Sequence, residues 1–246
     1  MDVGYIPFAF PGLSTVRCAF QTRAAATGAR QGNISFETGD DPEAVLASRL
    51  SLRRRLGFDA WHELRQVHGA RMIFDPEPGD IHQPGRIEAD GQATCAPSLA
   101  LVIKTADCQP ILLAHRSGRY VAALHAGWRG NRCDFPGQGV RTFCERYALN
   151  PGDVFAVRGP SLGPAASEFV NFSQEWTSNF LPWFDAAQQT MHLWNLTQAQ
   201  LLDAGLPPEN LYSLDLCTWS LSELFFSYRK DRRCGRQASC IWIEPA

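Results

Sequence analysis

The sequence predicts a mixed-sheet α/β or α+β fold in a single domain over residues 1–246. Three observations predict it. Short strand-like runs and helical runs alternate without the strict βαβ rhythm of a parallel sheet. Turn residues are spread evenly, with no internal repeat and no low-complexity linker. A composition of 45% hydrophobic and 20% charged residues over 246 positions supplies enough apolar material for one large core or two closely packed lobes.

The elements follow in order. TVRCAFQTR (15–23) alternates as a strand does, and a glycine-punctuated loop (24–39) comes after it. DDPEAVLASRLSLRRRLGF (40–58) carries an Asp cap, Pro42 at the first helical position, an acid in the first turn and a stop at Gly57, so it is a helix. HELRQVHGARMIF (62–74) is a strand leading into a His-Gly turn and out again. SLALVIKTADC (98–108), PILLAH (110–115) and GRYVAALHAG (118–127) are short strands whose near-continuous hydrophobicity implies burial on both faces, the last two forming a hairpin. VRTFCERYALNPGD (140–153) is helical up to its Asn-Pro-Gly stop, and VFAVRGPSLGP (154–164) is a strand entering a Gly/Pro loop. SQEWTSNFLPWF (173–184) and NLTQAQLLDAGL (195–206) are predicted helices, and NLYSLDLC (210–217) and ASCIWIEP (238–245) strands.

Charge narrows the ligand. A formal net charge of −2, with both signs scattered, gives no reason to expect nucleic acid or an anionic membrane as partner, which leaves a small molecule. The one basic run, RLSLRRRLG (49–57), sets its charges between leucines at helical spacing and is expected to be a solvated helix face. The first residues have an acid where an export signal needs Lys or Arg, and the most apolar segment is broken by Lys104, Asp107 and Pro110, short of the roughly 20 apolar residues of a membrane helix. The expected compartment is the cytoplasm. Eight cysteines without a CxxC pair are then mostly small buried hydrophobes, with Cys234 and Cys240 the pair that a bridge or metal would use.

Three segments share a pattern in which an apolar strand ends at a reactive group and a turn follows: RQVHG at His68, TADCQP at Cys108 and ALHAGWRG at His125. If they converge, one Cys and two His suit Zn²⁺ with an open fourth position, and copper would accept the same donors. The same residues also suit a Cys108 nucleophile activated by His125, with His68 or Asp107 orienting the base. Packing roles for all three are the third reading.

Taken together, QVHG, TADCQPILL and HAGWRG resemble the signature of the laccase-domain family, the YfiH-type proteins described as purine nucleoside phosphorylases. AFQTR, TGDDPEAV, RGPSLGP, CTW and FFSYRKDRRCGRQAS fit further family blocks, so the resemblance covers nearly the whole chain. It implies a four-layer α-β-β-α sandwich of mixed sheets and a catalytic zinc on His68, Cys108 and His125. It also implies phosphorolysis of adenosine, inosine, guanosine and methylthioadenosine, and deamination of adenosine. Older family descriptions imply a copper-dependent polyphenol oxidase, and one bacterial branch an amidase that removes serine from cytoplasmic peptidoglycan precursors.

Each activity makes demands on the chain. Deamination needs a water made nucleophilic by a metal, and a proton carrier that is not a ligand. No HxE motif is present, so Asp107, Glu88 and Asp90 are the candidates. Phosphorolysis needs cations for phosphate, and the family-block arginines are Arg23, Arg129 and Arg229. Two segments depart from the family. SLNLG is replaced by NISFETG, which leaves Asn33 as a shifted candidate for a substrate contact. NRCDFPGQGV (131–140) is expected to delay or break the helix after HAGWRG, because proline removes a donor and clashes inside a helix.

Overall fold

A computed structural model describes residues 4–23 and 30–245. The predicted loop over 24–39 therefore lies partly outside the described residues. Two mixed sheets form the centre. The first contains β1 (Gly4–Phe8), β2 (Val16–Thr22), β13 (Gln237–Ile243), β6 (Leu99–Thr105) and β3 (Ala60–Glu63), in that spatial order. The second contains β12 (Leu211–Ser213), β9 (Val154–Arg158), β7 (Gln109–His115), β8 (Val121–Ala126), β5 (Gly91–Thr94) and β4 (Met72–Phe74). Most neighbours are antiparallel, and β3–β6, β4–β5 and β9–β12 are parallel. Two short strands, β10 (Phe184–Asp185) and β11 (Thr190–Met191), pair separately.

Side-chain alternation explains the layering. On β6, Leu99, Leu101 and Ile103 face Leu112, Ala114, Val121, Ala123 and Val157 of the second sheet, and this is the core between the sheets. Ala100 and Val102, the alternate residues, face Leu52 of α1 (Pro42–Leu56), together with Trp61 and Trp242. On the far side, Ile111, Leu113, Ala122 and Leu124 pack on α3 (Phe135–Tyr147) and α5 (Leu193–Asp203) through Phe135, Val140, Phe143 and Leu201. The order of layers is helix, sheet, sheet, helix, as the resemblance implies.

Helix α1 ends where its sequence says: Asp41 caps the amide of Glu43, Pro42 opens the helix and Gly57 closes it at φ 77°. The solvated-face reading of its basic run needs correction at Arg49. Val45, Ser48, Arg49 and Leu52 share the buried stripe at i, i+3, i+4 and i+7, and Arg49 is fully buried against Glu63 at 2.7 Å. Arg54 and Arg55 are exposed.

The predicted helix over 173–184 is also corrected. A four-residue turn, α4 (Phe172–Glu175), gives way to a 3₁₀ segment, Ser178–Trp183, which contains Pro182. Its rings, Trp176, Phe180 and Trp183, gather with Phe169 and Phe172 instead of forming a helical stripe. The helix after HAGWRG is broken but not delayed. It starts at once as α2 (Trp128–Arg132), stops at Asp134 in a left-handed conformation (φ 58°), and restarts as α3 with Pro136 in the first turn, where its missing N–H does no harm. All eight cysteines are free; Cys18, Cys144, Cys234 and Cys240 are buried, whereas Cys95 and Cys133 are exposed. Among the described residues no helix is long and apolar enough to cross a membrane.

Candidate metal centre

The three reactive residues arrive from different elements at one end of the sandwich. His68 sits in the turn between β3 and β4 with φ 60°, an uncommon left-handed conformation for a residue with a side chain. Cys108 lies where the chain crosses from β6 in the first sheet to β7 in the second. His125 occupies the penultimate position of β8, opposite Pro110, on the face shared with Val121 and Ala123. Their ligand atoms lie within 4.8 Å of one another, and Cys108 Sγ is 3.7 Å from His68 Nε2. In a tetrahedral zinc site, Zn–S near 2.3 Å and Zn–N near 2.0 Å set S···N at roughly 3.5 Å, so this donor set fits.

Asp90 organises the site from behind. Its carboxylate accepts His125 Nδ1–H at 2.8 Å and the backbone amides of His68 at 2.9 Å and Gly69 at 2.6 Å. Burial by itself would push the Asp90 carboxyl up, but the His125 bond and the amides hold it below the ordinary value, so it is an anion. An anion at Nδ1 keeps a proton on that nitrogen, so Nε2 is the one that would meet a metal. Burial would likewise raise the Cys108 thiol, yet His125 and His68 outweigh it and bring it down to about 6. His125 is raised to about 9 against its own burial, by Cys108 and Asp90. Gly127 completes the cradle. A Cβ there would stand 2.9 Å from His68 Cδ2 and 3.0 Å from Cys108 Sγ, so any side chain would displace the pair.

A cavity of about 890 Å³ opens over the three residues, within the size range of small-molecule sites. Asp107, Arg129 and Arg229 are among the residues that line it. Asp107 holds φ 92° and spends both oxygens, one on Thr218 Oγ1 at 2.7 Å and one on the Arg229 amide at 2.6 Å. Its carboxylate thus anchors the 217–230 segment, a strained backbone held in place by its partners. The Arg229 guanidinium faces Glu168.

Other candidates lie elsewhere. Arg23 does not line the cavity; it donates to the Ser222 carbonyl at 2.7 Å and lies over the Phe226 ring. Asn33 is buried in its own loop, bonding Thr38, Asp40 and the amides of Ser35 and Arg236. Glu88 pairs with Arg65 at the surface, outside the cavity. Asp90 has no exposed surface, which suits an orienter better than a carrier of protons to substrate. The sequence reading missed Lys104, Trp128, Phe169, Arg232 and Arg236 in the cavity wall. Pairing with β13 brings Lys104 to the end of the sheet that Arg236 precedes, which is seen only after the sheet order is known.

Comparison with known proteins agrees with this architecture. The family model described as multi-copper polyphenol oxidoreductase laccase matches residues 17–244. A purine nucleoside phosphorylase of Haemophilus influenzae is 36% identical over 225 residues, covering 86% of each chain. Purine nucleoside phosphorylase YfiH of Escherichia coli is 31% identical over 222 residues, again 86% of each chain. Among solved structures, YlmD from Geobacillus stearothermophilus superposes with a TM-score of 0.89 at 27% identity, over 98% of this chain and 97% of that one. With a match across residues 17–244 and relatives above 30% identity over most of both chains, this chain belongs to the laccase-domain, YfiH-type family.

Proposed function

We propose that this chain is a zinc-dependent purine nucleoside phosphorylase of the cytoplasm, acting on adenosine, inosine, guanosine and methylthioadenosine, with adenosine deaminase activity at the same site. The observation that carries the reading is the convergence of His68, Cys108 and His125 at the floor of a nucleoside-sized cavity. The names of the curated relatives support phosphorolysis. Eight free cysteines suit a reducing compartment.

His68 Nε2, Cys108 Sγ and His125 Nε2 would hold the metal, with copper an acceptable substitute for these donors. When bound, zinc supplies Lewis-acid polarisation of substrate and a more acidic water. The chain does the rest. Asp90 fixes the tautomer and orientation of His125, and Asp107 fixes the loop that carries Arg229. Trp128 and Phe169 offer aromatic faces to a purine, and Arg129 stacks on Trp128 at 4.4 Å. In phosphorolysis a phosphate oxygen bonds to C1′ while the C1′–N9 bond breaks. Its electron pair leaves on the purine, which takes up a proton, and base and ribose 1-phosphate result.

One observation favours a second reading. A thiol lowered to about 6, beside a histidine backed by Asp90, is also a Cys-His-Asp arrangement for acyl transfer, which suits an amidase acting on a muramyl-serine precursor. Elemental analysis, combined with chromatography of products from adenosine with and without phosphate, separates the two. Stoichiometric zinc with phosphate-dependent ribose 1-phosphate supports the first reading. Metal-independent release of serine from a muramyl peptide, blocked by thiol alkylation, supports the second.

A further inference from the structure

The cavity spans the ends of both sheets, and its two ends differ in chemistry. Over α2 the wall is aromatic, carrying Trp128, Phe169 and Leu193, with Arg129 and Glu175 beside them. Over the first sheet it is polar, with Lys104, Arg232 and Arg236 among its residues. Antiparallel register sets Ala238 opposite Lys104. Arg236, one residue before β13 begins, therefore stands at the same end of that sheet as Lys104.

Charge balance singles out two of these cations. Lys104 is 5% exposed and sits 2.8 Å from Glu37 and 3.4 Å from Glu63, while Glu63 also pairs with Arg49. Those two cations and two anions cancel. Arg229 is balanced by Glu168. The Arg236 guanidinium donates to the carbonyls of Cys234 and Gly235, meets no carboxylate among the described residues, and lies 5.5 Å over the Tyr228 ring. Arg232 makes no hydrogen bond or ion pair among the described residues. The remaining acids of the wall are Asp107, engaged by Thr218 and the Arg229 amide, and Glu175 on α4 at the aromatic end. Arg129, the remaining cation of the wall, stacks on Trp128 at the aromatic end, which leaves the guanidinium charges of Arg232 and Arg236 on the rest of the wall.

The geometry points to an oxyanion subsite made by Arg232 and Arg236 in the wall they share with Lys104, which takes the inorganic phosphate of phosphorolysis. Guanidinium forks match phosphate oxygens bidentately, and the aromatic wall beyond the metal ligands leaves the purine at the opposite end. In this arrangement the nucleophilic phosphate oxygen and the departing base lie on opposite sides of C1′, as an in-line displacement requires. The subsite rests on the phosphorolytic reading for its role, though not for its existence.

Calorimetric titration of the full-length, zinc-loaded protein with inorganic phosphate tests it directly. Arg232→Ala and Arg236→Ala each weaken phosphate binding about tenfold, the loss of a charge-assisted hydrogen bond, whereas Arg129→Ala at the aromatic end changes it less than about twofold. Arg232 is exposed, so its variant keeps the fold, and a thermal melt checks this. Unchanged phosphate affinity in both variants, an equal loss in Arg129→Ala, or no binding by the wild type overturns the subsite. Phosphate binding that responds as described, without any cleavage of nucleoside, leaves the subsite standing and removes the phosphorolytic role.

Discussion

Asp90 accepts the Nδ1 proton of His125 at 2.8 Å while taking the backbone amide of His68 at 2.9 Å, so one buried carboxylate aligns two of the three candidate ligands. Because the anion fixes both the tautomer of His125 and the left-handed turn at His68, Asp90→Asn is expected to lower zinc affinity by roughly 10–100-fold. Chelator competition on the purified variant measures this. An affinity equal to that of the wild type would show that the ligands are aligned without it.

Gly127 stands directly against the pair His68 and Cys108. Gly127→Ala places a methyl within about 3 Å of both side chains, at an ordinary φ of −77°, so the backbone itself is not strained. The expected result is loss of bound metal and of activity with little change in melting temperature. A variant that retains full metal would show that the two side chains yield to the methyl.

The buried pair Arg49 and Glu63 tests the fold rather than the site. Arg49→Ala leaves Glu63 in the interior beside Lys104 and removes bonds to the carbonyls of Ile34, Ile81 and Gln83. Stripping one partner from a buried pair costs about 3–5 kcal/mol, which a urea titration resolves. A loss under about 1 kcal/mol would mean that Arg49 behaves as a surface residue.

In metal-free protein the Cys108 thiol, lowered to about 6, is a thiolate at neutral pH, whereas an unfolded thiol near 9 is not. Alkylation by iodoacetamide should therefore reach half its maximal rate near pH 6 in the folded chain. The linked stability has the matching sign: the folded thiol releases its proton more readily, so the contribution is complete above about pH 9 and lost as pH falls through about 6. An alkylation midpoint near 9 would show that His125 and His68 do not hold the thiolate.

What the sequence made legible follows from how local each signal is. Asp41, Pro42 and Gly57 mark the ends of α1 within a few residues, and the structure places them there. His68 and Cys108 stand in connections between strands and His125 near the end of β8, and their convergence follows from the crossover at Cys108 between the sheets. The burial of Arg49 is hidden in the basic run because its partner Glu63 lies on another element, although the stripe from Val45 to Leu52 contains it. Asn33 and Arg23 look like substrate contacts in one dimension, but their hydrogen bonds close loops instead. Arg232 and Arg236 gain meaning only when the charges around them are paired off, which requires the folded cavity.

The central claim is that His68, Cys108 and His125 hold a metal on which nucleoside phosphorolysis depends. Ribose 1-phosphate formation from inosine, measured for stripped and zinc-reconstituted protein, tests it most directly. The predicted result is activity lost on stripping, restored by zinc in the wild type, and not restored in Cys108→Ala. Full phosphorolysis by metal-free protein would contradict it.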